Sequence, residues 1–416
     1  MIHSGKLFLV RFQRWNLHEI TICKVKLSQV KFSKEYKENI YMSALDDVIK
    51  DINKKYKEKI IGKSDVKQRN YKKVPFVTPS LTFLFHGGMP RTVAELAGAP
   101  GVGKSSLSYS ICGQAQKQLK KEYEEEVSAL EEIEKPNKEQ KERLAYLKER
   151  GYQKVAYLDS EFSTSNDWLE KNGVDVDDLI FIAPDNQTAE QLFEITLRLI
   201  ASDGIGCFIL DSIPALVSQQ TMEKTMEEKT MAGISQPLSV FSSKLLPLCN
   251  KHKCLFIGIN QTRADMSGYN RVITPGGKMW QHTCSIRLLL KKGKFFDDKY
   301  ADLKAHPEDA YGNYSEVEVI KNKATKPNRR LSKFAITYTK GVDGYIDTVN
   351  MAITYGIIKQ KGAWYSYEND NGEVIESESG EPCSFAGKLK LMDYLERNKD
   401  IFDRISKQLN KTIIED

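Results

Sequence analysis

No stretch constrains this chain more than Gly98-Ala99-Pro100-Gly101-Val102-Gly103-Lys104-Ser105, which has the spacing G-x-x-x-x-G-K-[ST]. Its glycines let successive backbone N–H groups turn inward as an anion nest, at positive φ angles that only glycine reaches cheaply. A helix starting near Lys104 adds its positive N-terminal end. Lys104 supplies a point charge for β- and γ-phosphates, and the Ser105 hydroxyl suits a Mg²⁺ position. The flanks give the pattern its required context. Thr92-Val93-Ala94-Glu95-Leu96-Ala97 reads as a short buried strand, and Ser106-Leu107-Ser108-Tyr109-Ser110-Ile111 as the helix after the loop. Strand, loop and helix together predict a cradle for ATP and Mg²⁺ built from residues 98–106.

At 416 residues the chain has room for one large core and a smaller domain. Its 40% hydrophobic content is that of a globular protein, and no apolar run is long enough to span a bilayer. The seven cysteines are scattered and odd in number, as expected for reduced, buried thiols. Cys249 and Cys254 flank His252, but no partner pair completes a zinc site. The net charge of +6 is mostly local: residues 1–41 carry eight Lys/Arg against three Glu, leaving +1 for the rest. Bulk charge therefore makes no argument for nucleic acid, and any such argument rests on local patches.

Residues 1–41 differ in character from the remainder of the chain and read as an upstream leader without a stable fold, or as a mis-assigned start ahead of Met42; a short docking arm is the alternative. From Leu45 an apolar stripe (Val48, Ile49, Ile52, Tyr56, Ile60) runs at helical spacing, followed by a basic linker over 62–75. Residues 42–75 thus form an N-terminal helical arm and linker, and 76–343 an ATPase core. Within the core, residues 117–150 are rich in Glu and Lys and read as an exposed helical hairpin broken at Pro136. Strands are expected at 154–159, 180–182, 207–210, 255–259, 286–290, 316–320 and 334–338. Thr188 and Gln191 form a capping box for a helix between two of them. Strands alternating with helices imply an α/β fold with a mostly parallel central sheet.

Three further strand tips carry chemistry. Cys207-Phe208-Ile209-Leu210-Asp211 is an apolar strand ending in an acid that can hold Mg²⁺ beside Ser105. Asp159-Ser160-Glu161 ends the preceding strand, where a carboxylate can orient or deprotonate the attacking water; the plain alternative is an acid that caps a helix. Gln261 ends a third strand, from which it can sense a γ-phosphate. The long segment after it, residues 262–278, contains Arg263, Tyr269, Arg271, Gly276, Gly277 and Lys278, suited to phosphates and close backbone approach. An earlier polar segment, 219–233, carries Met222, Met226 and Met231. On composition alone, both segments read equally well as ordinary surface loops.

From about Met42 to the C-terminus the chain resembles the RecA-family recombinases of bacteria, with a bacteriophage as a second source. The resemblance rests on Gly87-Gly88-Met89-Pro90, the phosphate loop, Tyr157-Leu158-Asp159-Ser160-Glu161, Phe208-Ile209-Leu210-Asp211-Ser212 and Phe256-Ile257-Gly258-Ile259-Asn260-Gln261-Thr262-Arg263. It continues through Thr274-Pro275-Gly276-Gly277, Ile320-Lys321-Asn322-Lys323 and Gly362-Ala363-Trp364-Tyr365-Ser366-Tyr367. It implies Glu161 as the catalytic carboxylate, Gln261 as the switch between ATP and DNA, and Trp168 as an adenine-stacking aromatic. Segments near 219–233 and 262–278 become the DNA-binding loops, with Met231, Tyr269 and Ile273 entering between bases. Lys321 and Lys323 reach a neighbour's ATP across a filament interface, and the helix over 45–60 docks on the adjacent protomer. Residues 344–416 become a small α+β C-terminal domain with Leu391, Tyr394 and Leu395 on a core-facing helix, where Lys388 helps gather duplex DNA. The implied function is a cytoplasmic, DNA-dependent ATPase of DNA recombination and repair. It forms homo-oligomeric filaments on single-stranded DNA and exchanges strands with duplex DNA, assisted by single-strand-binding and loader proteins, in a bacterial or phage-infected cell. A ring helicase of the same fold and a non-catalytic DNA-binding accessory protein are the alternatives. The hairpin 117–150 and residues 1–41 depart from the family pattern, and the acidic tail is reduced to Glu415-Asp416.

Overall fold

The apolar runs assemble into one nine-stranded sheet in the computed structural model, which describes residues 46–55, 71–224, 233–264, 272–304, 308 and 310–415. The chain divides into two units, 1–69 and 70–416. The described part of the first is a helix over 46–55, with an exposed Asp47–Lys50 pair at 3.6 Å. The leader 1–41 lies outside the described residues.

In the second unit the sheet strands are β1 (Val93–Gly98), β2 (Lys154–Asp159), β3 (Leu179–Ile182), β4 (Ile205–Asp211), β5 (Leu255–Gln261), β6 (Ile286–Phe296), β7 (Gly312–Asn322), β8 (Leu331–Thr337) and β9 (Gly341–Asp343). Their spatial order is β9-β8-β7-β6-β1-β5-β4-β2-β3. The six strands from β6 to β3 are parallel, while β7, β8 and β9 continue the sheet antiparallel. A parallel sheet is covered on both faces, so its strands are apolar throughout rather than alternating. Successive residues feed opposite cores. Val155 and Tyr157 join the core beneath the first long helix, α1 (Lys104–Glu131); Ala156 and Leu158 join the core beneath α2 (Ala189–Ala201) and α3 (Ser235–His252). The expected capping box at the start of α2 is present in both halves, Gln191 N to Thr188 and Thr188 N to Gln191.

The charged hairpin grows directly out of the core. Its first arm is the outer half of α1, a single 28-residue helix that begins at Lys104 and buries nothing beyond Leu119. A second helix over Lys138–Arg150 returns along it, capped by Asn137 and Gln140. Arg143–Glu126 (2.8 Å) and Lys148–Glu131 (2.6 Å) join the arms through exposed pairs, each worth well under about 1 kcal/mol. The base is held more firmly. Asp203 accepts from Arg150 (2.6 Å), Tyr146 (2.7 Å) and His252 (3.0 Å). Burial pushes the Asp203 carboxyl up, but these hydrogen bonds outweigh it and hold it below its ordinary range.

A third core lies under the C-terminal segment. There a three-stranded sheet (Ile358–Lys361, Trp364–Tyr367, Ser384–Ala386) packs with helices Tyr345–Thr354, Lys388–Arg397 and Lys399–Glu415. Leu391, Tyr394 and Leu395 are buried in this core. Lys388 bonds Asn350 within this segment and is half-buried, so its ammonium is committed inside the fold.

Asp347 is buried where this segment meets the helix Pro79–Leu84, accepting Ser80 N at 2.8 Å. Burial pushes its carboxyl from 3.8 up to about 6. The folded chain therefore keeps a proton that the unfolded chain releases, and stability falls as pH rises through that window. Between about pH 4 and pH 6, wild type should lose on the order of 2 kcal/mol relative to Asp347→Asn. Urea midpoints across this range check it; a pH-independent difference between the two chains contradicts it.

Candidate active site

Four parallel strands end side by side, and each tip carries one part of the site. Register fixes the neighbours: Gly98 pairs with Gln261, and Asp159 pairs with Asp211. The C-terminal edge of such a sheet is where open α/β folds bind ligands.

From β1 the chain turns through the phosphate loop into α1. Gly103 sits at φ +90° as the residue preceding the helix, and a Cβ there would lie 2.2 Å from Ile336 Cδ1. The positive φ demands glycine at this position, whereas the end of the Ile336 side chain could move aside. Lys104 folds back on its own loop, donating to Gly98 O (3.1 Å) and Ala99 O (2.8 Å). Burial lowers its pKa, opposed by the charges of Asp211 and Glu161. Ser105 Oγ donates to Asp211 Oδ2 at 2.8 Å, and Ser106 comes next in the first helical turn. Tyr157 OH, buried on β2, donates to the same Asp211 oxygen at 2.6 Å. Burial raises the Asp211 pKa against these two hydrogen bonds, and the charges of Glu161 and Asp159 raise it further.

The two acids at the end of β2 divide the work. Asp159 accepts the backbone N–H groups of Glu161 (3.1 Å), Ser163 (3.1 Å) and Thr164 (2.9 Å), so it shapes the turn. Glu161 is exposed instead, and its Oε1 accepts from Ser212 Oγ and from Gln261 Nε2 (3.3 Å). Lys104, Ser105, Asp211, Glu161 and Gln261 therefore converge, as the strand tips predict. Sequence reading missed Tyr157 as a partner of Asp211 and Ser212 as a partner of Glu161. Tyr157 gives no periodic signal, and Ser212 is only the residue after Asp211.

Trp168 lies on the short helix Asn166–Lys171, half-buried against the α1-side core. The segment 219–233 opens as one helical turn, Gln219–Met222; Met231 lies outside the described residues. In the later segment, Arg263–Ala264 and Val272–Ile273 pair as an antiparallel stem. Arg263 is exposed, whereas Tyr269 and Arg271 lie outside the described residues, as does the Ile273 side chain. Gly276 is buried and takes φ +106° immediately before the helix Gly277–Thr283, a conformation that glycine reaches cheaply. Gly277 and Lys278 are exposed in that helix's first turn. Lys321 and Lys323 stand apart from the phosphate loop. Lys321 pairs with Arg287, which pairs with Glu95, three residues back from Gly98, and its Nζ holds the carbonyls of Gln281 (2.7 Å) and His282 (2.9 Å).

The donor set fits Mg²⁺. One hydroxyl and one carboxylate, both hard oxygens, sit beside a nest shaped for phosphates, and a buried carboxylate among acids calls for a compensating cation. No helix among the described residues is long and apolar enough to cross a membrane.

Comparison with known proteins places this architecture. The RecA N-terminal domain model matches residues 142–343. Protein RecA of Wolbachia pipientis is 28% identical over 382 residues, covering 90% of this chain and 91% of its own. Protein RecA of Anaplasma marginale is 27% identical over 390 residues, covering 92% of each. Protein RecA of Acidothermus cellulolyticus is 30% identical over 261 residues, 62% of this chain and 69% of its own. With its mostly parallel α/β sheet and phosphate loop, this chain belongs to the RecA family.

Proposed function

We propose that this chain is a DNA-dependent ATPase that forms filaments on single-stranded DNA and drives homologous pairing and strand exchange. The observation that carries this reading is the contact between Glu161 and Gln261, at two strand tips beside the Lys104 and Ser105–Asp211 cluster. Residues 98–106 would cradle the ATP phosphates through backbone N–H groups and Lys104. Ser105 and Asp211 would hold Mg²⁺, which when bound neutralises phosphate charge. Glu161 would orient and deprotonate water, with Ser212 fixing its carboxylate. Gln261, which leads directly into segment 262–278, would report the γ-phosphate to it. Trp168 would stack on adenine.

Arg263 and Lys278, both exposed at the ends of that segment, would take DNA phosphates together with Arg271, Gly276 and Gly277. Met231 and Tyr269 would contact bases. Lys321 and Lys323 would act on the ATP of an adjacent protomer, with the helix over 46–55 docked between copies. The setting is a bacterial cytoplasm, with single-strand-binding and loader proteins as helpers and duplex DNA as the second substrate.

Purified chain should hydrolyse ATP faster with single-stranded DNA than without it, with the DNA affinity falling steeply as salt rises. Electron micrographs should show filaments on the strand. Equal turnover with and without DNA overturns the reading; closed rings that unwind duplexes would make the chain a helicase of the same fold.

A further inference from the structure

Glu95 is a charged residue in the middle of β1 with no exposed surface. A buried carboxylate is tolerated only when its lone pairs are taken up, and here three side chains do so. Asn260 Nδ2 (2.8 Å) and Trp280 Nε1 (2.9 Å) donate to Oε1, and Arg287 Nε (2.6 Å) donates to Oε2. The space for this cluster comes from Gly258, the register partner of Glu95: a Cβ there would lie 2.7 Å from the Trp280 ring.

Each donor also holds part of segment 262–278 or its flanks. Asn260 precedes Gln261 and accepts its N–H (3.0 Å); its Nδ2 also donates to Pro275 O (2.9 Å). Arg287 Nη2 donates to Thr274 Oγ1 at 3.0 Å. Trp280 lies on the helix at the far end of the segment. Both ends of one segment, Gln261 just before it and Thr274–Pro275 towards its far end, are thus tied to a single carboxylate. That carboxylate lies on the strand that enters the phosphate loop three residues later.

We propose that Glu95 is a positioning residue that couples the phosphate loop to segment 262–278, so that DNA held there is read at the ATP site through the Glu95–Asn260–Arg287 cluster. The inference rests on the DNA-dependent ATPase reading above. Coupling of this kind is reciprocal: what shifts β1 shifts both ends of the segment, and the converse. Glu95 itself touches neither nucleotide nor DNA.

The test uses the full-length chain, ATP and a single-stranded oligonucleotide. Glu95→Gln keeps the shape but places an amide against Arg287. DNA-free turnover and the KM for ATP should stay within about twofold, while the DNA concentration for half-maximal stimulation rises at least about tenfold. Arg287→Lys keeps the charge opposite Glu95 but loses the reach to Thr274, and should show the same split more weakly. It decides the matter if Glu95→Gln does not fold. An unchanged DNA response in a folded variant overturns the proposal. So does a loss of ATP binding, DNA-free turnover and DNA response in equal measure, which marks a merely structural role. A wild-type chain indifferent to DNA defeats the functional reading itself, and shows this before any variant is compared.

Discussion

Glu161→Gln should bind ATP and single-stranded DNA as wild type does while turning ATP over about 10²- to 10⁴-fold more slowly. The substitution is a narrow one. Glutamine keeps an oxygen at the Oε1 position, so Ser212 and Gln261 retain their acceptor. The side chain is exposed, so folding stability should move by no more than about 0.5 kcal/mol. What is lost is a carboxylate able to take a proton from water. Lys104 loses one of the two charges that raise its pKa, but Asp211 remains. The change should therefore fall on kcat, leaving the affinities in place. Fluorescent-nucleotide titration, DNA anisotropy and phosphate release separate the three quantities. Normal turnover would return Glu161 to the role of a surface acid.

The place of Glu161 is legible in the sequence because it is local. An apolar run ending in an acid announces a strand tip, and parallel register then sets Asp159 beside Asp211 and Gly98 beside Gln261. The division of labour between Asp159 and Glu161 is not legible there, because it depends on which carboxylate folds back on the turn. Glu95 escapes a sequence reading for a different reason. It looks like a polar lapse in a buried strand, and its donors lie 165, 185 and 192 residues further along the chain. At Lys117 the composition changes while the helix does not, so the continuity of the hairpin's first arm with α1 is hidden in the sequence. Gln, Lys, Glu and Ala all propagate helix, so a switch from buried to exposed residues marks the edge of the core, not the end of the element.

Mixing Lys321→Ala/Lys323→Ala chains with Glu161→Gln chains should restore turnover that neither has alone. The sheet supplies the reason. Lys321 lies level with Glu95, about 10 Å along the strands from Gly98, and two strands to the side of β1. Its Nζ is engaged by the carbonyls of Gln281 and His282 in its own chain. Burial lowers its pKa, and neighbouring Lys323 lowers it further, so an approaching phosphate would be met by two cations that repel one another. A charge that stabilises phosphoryl transfer from across an interface is worth about 10³- to 10⁵-fold in turnover, so the lysine variant alone should be nearly silent. In a random filament of the two variants, about one seam in four joins an intact Glu161 from one chain to intact lysines from the next. Turnover should then recover to about a quarter of wild type. If the lysines serve their own chain's nucleotide, every site stays defective and the mixture is no faster than the mean of its parts. That result would remove Lys321 and Lys323 from the seam while leaving the strand-tip site untouched.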